Sequence, residues 1–264
     1  SSAASDVYKR QGNVLAIVFL AVVTGLSMNA LEDQTKTLKK LFEEVSKIIS
    51  LFLTFVINKF APYAIFCLLT RTFAIYGIDS LKPALAYVVT VIIALFVYLF
   101  CAYPIYLATM ARVNPKPFMK KAAKVALFGF STSSSAATLP LNKKTTTEEL
   151  GVSDQIASFV LPLGMTINMD GTSIMQGVAV VFTAQAFGIH LSMMDYATVI
   201  GTATLASIGT AGVPSVGLIT LTMVFNSVGL PVEGIALIMG IDRILDMTRT
   251  AVNITGDAVC TTVV

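Results

Sequence analysis

Charge is what this sequence has least of. Asp, Glu, Lys and Arg make up 12% of its 264 residues, against roughly 25% in a soluble domain. Mean hydropathy is +0.80, so an ordinary soluble fold is excluded and the chain reads as a polytopic membrane protein. The net charge is only +3, and its basic residues sit in short loops without forming a basic face, which excludes a nucleic-acid partner. Histidine is nearly missing: His190 stands alone in a loop, a solvated surface residue at the wrong membrane depth to be the base of a serine triad. No GxxxxGK[ST] loop exists, so this chain is not driven by ATP. A TVGYG-like filter and an NPA pair are also missing, which counts against a channel. The three cysteines, Cys67, Cys101 and Cys260, are scattered through apolar segments and are expected to be small buried hydrophobes.

The ends are unusual. SSAASDVYKRQ, residues 1–11, is polar and lacks the apolar core and cleavage site of a signal peptide; it is expected to be an artefactual leader. CTTVV closes the sequence inside an apolar stretch, so the chain is expected to be a fragment.

What is present is long apolar segments. A helix needs about 20 apolar residues to cross a bilayer, and Asn13–Leu31, Ile48–Ile75 and Ala84–Ala111 meet that length as ordinary spans. Lys59, Pro62 and Arg71 suggest that protein covers one side of the second. Beyond Arg112 the runs shorten and break at STSSSAAT (Ser131–Thr138), NMDGT (Asn168–Thr172) and SIGTAGVPS (Ser207–Ser215). Half-length runs interrupted by Gly, Pro and Ser predict re-entrant hairpins and unwound helices, which survive in a membrane only where protein or water covers the freed backbone.

Lys and Arg orient the chain. Lys36, Lys39, Lys40 and Lys47 follow the first span, and Arg112, Lys116, Lys120, Lys121 and Lys124 follow the third, so both loops are cytoplasmic. Lys143 and Lys144 return the STSSSAAT segment to the same side. The exterior loops, Gly188–Tyr196 and Gly229–Glu233, carry no Lys or Arg. The result is a hairpin from inside plus a broken helix, then a hairpin from outside plus a polar helix. Such an inverted repeat places a binding site at the midplane.

The last helix carries the ionisable groups. In GIDRILDMTRTAVNITGD, at about 100° per residue, Asp242, Asp246, Arg249, Thr250, Asn253 and Asp257 fall within an arc of roughly 100°. Asp246 and Arg249 could simply neutralise each other at i, i+3. A full stripe facing two hairpin tips and NMDGT is more than pairing needs, and intramembrane charges mark function. Arg249 offers a planar fork for a carboxylate, Asp246 can accept from an ammonium, and Asn253 and Thr172 can orient a second carboxylate. Together these describe an acidic amino acid. Arg243 lies at the edge of the stripe, where it is expected to pair with Asp242 or Asp246 or to reach a hairpin. Asp170 and Asp257 face no second arginine, and their all-oxygen surroundings suit a hard monovalent cation better than zinc or copper.

SSSAATLP, NMDGT, SIGTAGVPS and DMTRTAVNITGD, in that order, resemble the glutamate transporter family of dicarboxylate/amino acid:cation symporters, from about Gly12 to Val264. The resemblance implies an all-α multi-pass membrane protein, a trimeric elevator in which a transport domain slides against a trimerisation scaffold. It puts the substrate on Ser135, Thr172, Val213, Gly217, Asp246, Arg249, Thr250 and Asn253. One sodium site would use Gly164, Asn168, Asn253 and Asp257, and a second Thr166, Ser207, Ile208 and Thr210. A third would use Asn168 and Asp170, with further ligands on an earlier helix that this chain lacks. Relatives for C4-dicarboxylates lack the aspartate matching Asp246, many proton-coupled members have asparagine at the place of Asp257, and neutral-amino-acid relatives replace Arg249. This pattern favours sodium-coupled transport of aspartate or glutamate over a proton-coupled glutamate or dicarboxylate symporter. The tip STSSSAAT lacks the arginine that some archaeal members carry there.

The expected organisation is a leader (1–11), partial scaffold helices (12–75) and a transport domain (76–264). That domain holds a spanning helix (84–111), two re-entrant hairpins (116–147 and 192–228), a broken helix (153–187) and a polar last helix (232–264). The bilayer and a homotrimer in the full-length parent are the expected surroundings, and the short loops fit a prokaryotic inner membrane.

Overall fold

A computed structural model describes the backbone of residues 20, 23–25, 27–28, 30–31, 34–76, 81–207, 216–232, 234–239 and 241–264, which form helices and their connections. Val213, Ile208 and Thr210, like most of the first expected span and residues 208–215 of the tip SIGTAGVPS, lie outside the described residues. The chain divides into two units, residues 1–58 and 59–264. In the first, the described residues belong mainly to the start of α1 (Lys36–Tyr76), where Leu41, Phe42, Ile48, Leu51 and Phe52 are exposed. Thr35 precedes it and ties back to the Met28 carbonyl at 2.9 Å.

The second unit holds the functional residues. After α2 (Leu81–Val97) the backbone widens into a π turn, Tyr98–Ala102, and continues as α3 (Tyr103–Thr109). Ala84–Thr109 is the one described helix long and apolar enough to cross a membrane. Then come α4 (Pro115–Thr132) and α5 (Ser135–Glu148), α6 (Asp154–Ile167) and α7 (Asp170–Ala186), α8 (Met193–Ser207) and α9 (Val216–Ser227), and finally α10 (Gly234–Met239) and α11 (Asp242–Val263). A hairpin followed by an interrupted helix therefore occurs twice. The last segment, expected as one helix over 232–264, is described as two helices, one ending at Met239 and the next starting at Asp242.

Local chemistry sets these boundaries. Asn114 caps α4 by accepting from the Lys116 N–H, with Pro115 in the first turn where no N–H is needed. At the hairpin tip Ser133 takes a left-handed conformation (φ 51°), and Ser134 restarts the helix by accepting from the Ala137 N–H at 3.2 Å. The open end of the hairpin is tied by the Lys124–Glu149 ion pair and by Lys121 Nζ donating to the Glu149 carbonyl at 2.6 Å. Both ends of α4–α5 thus lie together, opposite the tip. Between α6 and α7 the helix unwinds over Asn168 (φ −90°, ψ 78°) and Met169 (φ −109°, ψ 51°) and restarts at Asp170. Ser192 and Asp195 cap α8 reciprocally, the Ser192 N–H donating to Asp195 Oδ2 at 2.7 Å and the Asp195 N–H to Ser192 Oγ at 3.2 Å.

Helix α11 is the axis of the unit, packed by α4, α5, α6, α7, α2 and α3. The interior of the unit is unusually polar: Thr138, Asn142, Thr146, Gln176 and Thr183 are each 1% exposed or less. The outside is apolar, with Leu85, Ile93, Phe100, Leu127, Phe159, Ile200 and Ile219 all exposed. Cys67, Cys101 and Cys260 are free and exposed as well, which corrects the expectation of burial. They sit on outward helix faces, where this protein puts small apolar groups rather than polar ones.

Candidate functional site

The site is built on α11 and the breaks that face it. Arg249, 2% exposed, is held between two carboxylates of its own helix: Nη2 donates to Asp246 Oδ1 at 2.5 Å, and Nη1 lies 3.3 Å from Asp242 Oδ1. The second contact is an ion pair without hydrogen-bond geometry, so Nη1 and both Asp242 oxygens are buried without a hydrogen-bond partner. Polar atoms in that position are rare in native interiors and point to a missing partner. The space beside Nη1 is kept by Gly217 at the start of α9, where a Cβ would stand 2.9 Å from Nη1 and 3.3 Å from Thr172 Cγ2. Arg243 is exposed, and the close ion pairs to Asp242 and Asp246 are made by Arg249.

One turn along, Asn253 organises the NMDGT break. Its Oδ1 accepts the Gly171 N–H at 2.8 Å, satisfying a free donor of the α7 start. Its Nδ2 donates to Met169 Sδ at 3.2 Å and to Thr172 Oγ1 at 3.4 Å, and the Thr172 hydroxyl also points to Met169 Sδ at 3.7 Å. A Cβ at Gly171 would meet the Arg249 carbonyl at 3.0 Å, so only glycine permits this approach. Thr250 is buried and donates to the Asp246 carbonyl at 2.8 Å. The first hairpin reaches the same region: a Cβ at Gly129 would lie 3.6 Å from Thr250 Cγ2, and Asn142 Nδ2 donates to the Ile254 carbonyl at 3.2 Å. Ser135, 5% exposed, opens α5 at this tip.

A second cluster lies two turns further. Asp257 is 2% exposed and accepts from Asn168 Nδ2 at 3.1 Å, and its Oδ1 would be 2.9 Å from a Cβ at Gly164. Asp170 accepts at Oδ2 from the hydroxyls of Tyr98 and Tyr103, at 3.2 and 3.1 Å. The sequence reading missed both tyrosines because their helix reads as an ordinary span. Ser207 Oγ accepts from Ser173 Oγ at 3.0 Å, linking the end of α8 to α7. Thr166 stays on the last turn of α6 with its hydroxyl on the Leu163 carbonyl. Among the described residues no three His, Cys, Asp or Glu side chains converge. The oxygen donors present suit a hard monovalent ion.

The described parts thus define a class: an all-helical protein with two hairpins and two interrupted helices, enclosing a buried site that holds charges of both signs. The sodium:dicarboxylate symporter family model matches residues 3–264, a match that begins within residues 1–11. The chain belongs to that family. It is 37% identical over 257 residues to an excitatory amino acid transporter of Caenorhabditis elegans, covering 97% of this chain and 51% of the relative. It is equally similar, at 37% over 257 residues, to an excitatory amino acid transporter of Onchocerca volvulus, covering 97% and 52%. Human excitatory amino acid transporter 2 is 36% identical over 253 residues, covering 95% and 44%. The chain spans about half the length of the curated relatives it matches. These relatives are animal proteins and lend no support to a prokaryotic inner membrane.

Proposed function

We propose that the protein works as a sodium-coupled symporter of L-aspartate or L-glutamate, embedded in a lipid bilayer and acting by alternating access. The observation that carries this reading is the buried trio Asp242–Arg249–Asp246. Its formal charges, two negative and one positive, leave an excess of one negative charge in an enclosed place. An acidic amino acid can enter by exchanging ion pairs: its side-chain carboxylate takes the Arg249 fork while its ammonium takes the aspartate that Arg249 releases. A dicarboxylate without an ammonium would leave that buried aspartate without the cation it gave up, at a cost of about 3–5 kcal/mol. Thr172, Asn253, Ser135 and the backbone at Gly217 and Val213 would orient the remaining groups.

The carboxylates of Asp257 and Asp170 meet amide and phenol donors rather than Lys or Arg. Sodium suits both as co-transported substrate, with Gly164, Asn168 and Asn253 beside Asp257, Asn168 beside Asp170, and a third place at Thr166, Ser207, Ile208 and Thr210. Exposed apolar helices around a polar interior support a bilayer as the surrounding medium, since water would favour the reverse distribution. Two helical hairpins beside the site suit gates, and the resemblance carried by the sequence motifs implies an elevator movement of residues 76–264 against a trimeric scaffold that includes residues 12–75.

Uptake of labelled aspartate into vesicles, with sodium replaced by choline at fixed pH, tests the reading. Uptake is expected to collapse. Undiminished uptake would remove sodium coupling and leave the proton-coupled symporter in its place.

A further inference from the structure

The spanning helix contains the only π turn among the described residues, Tyr98–Ala102, closed by the Tyr103 N–H on the Tyr98 carbonyl. Pro104 follows directly and has no N–H to give to the preceding turn. On a regular α-helix Tyr98 and Tyr103 would point about 140° apart. The i to i+5 turn brings them onto one face, where their rings meet edge to face with centroids 5.0 Å apart. Both hydroxyls reach the same atom, Asp170 Oδ2.

Tyr103 has a second acceptor. Its hydroxyl lies 3.0 Å from the Val252 carbonyl on α11 as well as 3.1 Å from Asp170 Oδ2. A phenol carries one proton, so it serves one of these acceptors at a time. Gly256 leaves the room for this, since a Cβ there would collide with the Tyr103 hydroxyl. The two acceptors belong to different helices of the site, Asp170 to α7 and the Val252 carbonyl to α11. Asp170 adjoins Gly171, whose N–H is held by Asn253, and Val252 directly precedes Asn253.

We propose that Tyr103 couples cation binding at Asp170 to the substrate helix by turning its hydroxyl, a step that rests on the sodium-symport reading above. With the carboxylate alone, Tyr103 donates to Asp170. With a monovalent cation on the carboxylate, Tyr103 donates to the Val252 carbonyl and presents an oxygen lone pair toward the cation. The proton stays on the phenol oxygen throughout, and only the torsion about the C–O bond changes. Tyr98, whose hydroxyl keeps its bond to Asp170, is a positioning residue that holds the carboxylate in place.

The test is aspartate affinity of the purified full protein across a sodium series, with choline holding the ionic strength. Tyr103→Phe is expected to lower apparent sodium affinity about ten-fold and to flatten the dependence of aspartate affinity on sodium. Its melting temperature in sodium-free buffer should fall by a few degrees, because the bond of the hydroxyl to Asp170 is lost, while the unfolding transition stays cooperative. Tyr98→Phe should weaken sodium binding by a smaller factor and keep the steepness. A sodium-dependent wild type whose Tyr103→Phe variant keeps the wild-type steepness overturns the coupling role alone. A wild type that binds aspartate without regard to sodium overturns the symport reading and this inference with it. Should Tyr103→Phe fail to melt cooperatively, the infrared difference spectrum of the wild type on adding sodium decides: a shifted tyrosine C–O stretch is expected, and a spectrum without one overturns the inference.

Discussion

The two halves of α11 handle buried charge differently. Toward its start, Asp242 and Asp246 are answered by Arg249, a full charge of opposite sign on the same helix. Toward its end, Asp257 and the neighbouring Asp170 are answered by an amide and two phenols. A guanidinium cannot give up its proton in a protein, so the first half has a permanent internal counter-ion and can accept a ligand only by exchanging partners. The neutral donors of the second half reduce the cost of burying its carboxylates without cancelling their charge. On the function proposed above, that half would take cations and the first half a zwitterion with an extra acid.

Breaking the first half should have the largest effect. Arg249→Ala takes the guanidinium away from Asp242 and Asp246 and removes the carboxylate fork. A loss of about 3–5 kcal/mol, or aspartate affinity reduced beyond a hundred-fold, is expected in equilibrium binding, and retained micromolar binding would refute the role. Asp257→Asn keeps the shape of the second half and deletes its charge. Sodium affinity should fall by roughly ten- to a hundred-fold, the worth of hydrogen bonding to an ion, with Arg249 chemistry intact; an unchanged sodium response would count against the division.

Two glycines allow a matched comparison. A methyl at Gly217 would crowd Arg249 Nη1 and one at Gly164 would crowd Asp257 Oδ1, each at 2.9 Å. Each substitution should cost about 1–3 kcal/mol as local overpacking. Gly217→Ala should appear mainly in aspartate affinity and Gly164→Ala in sodium affinity, and equal effects of both on both ligands would dissolve the distinction. The smallest change is expected from Lys124→Ala, which removes an exposed ion pair at the open end of the first hairpin. It should alter stability by about 1 kcal/mol or less, read as a melting shift with both affinities untouched.

How much of this was readable in advance follows from the geometry of each element. The NMDGT break was legible because Asn, Asp and Gly interrupt an apolar run, and the structure unwinds at Asn168 and Met169. The polar face of α11 was legible because regular helical spacing gathers Asp242, Asp246, Arg249, Asn253 and Asp257 on one side. Tyr98 and Tyr103 were not, because they share a face only after the backbone departs from α-helical spacing. The role of Asp242 was also hidden: seven positions from Arg249, it competes for the guanidinium only when Arg249 extends back along its own helix. Likewise nothing in the run from 232 to 264 marked a helix end at Met239 or a start at Asp242.

Met169 places a sulfur where an oxygen would have been the stronger acceptor. The amide of Asn253 and the hydroxyl of Thr172 both rest against its Sδ, and thioether sulfur accepts hydrogen bonds only weakly. Both donors are thereby kept aimed and desolvated without being committed. On the proposed function, a carboxylate between them would replace a soft contact with a hard one, and the thioether is a stand-in that is easily displaced.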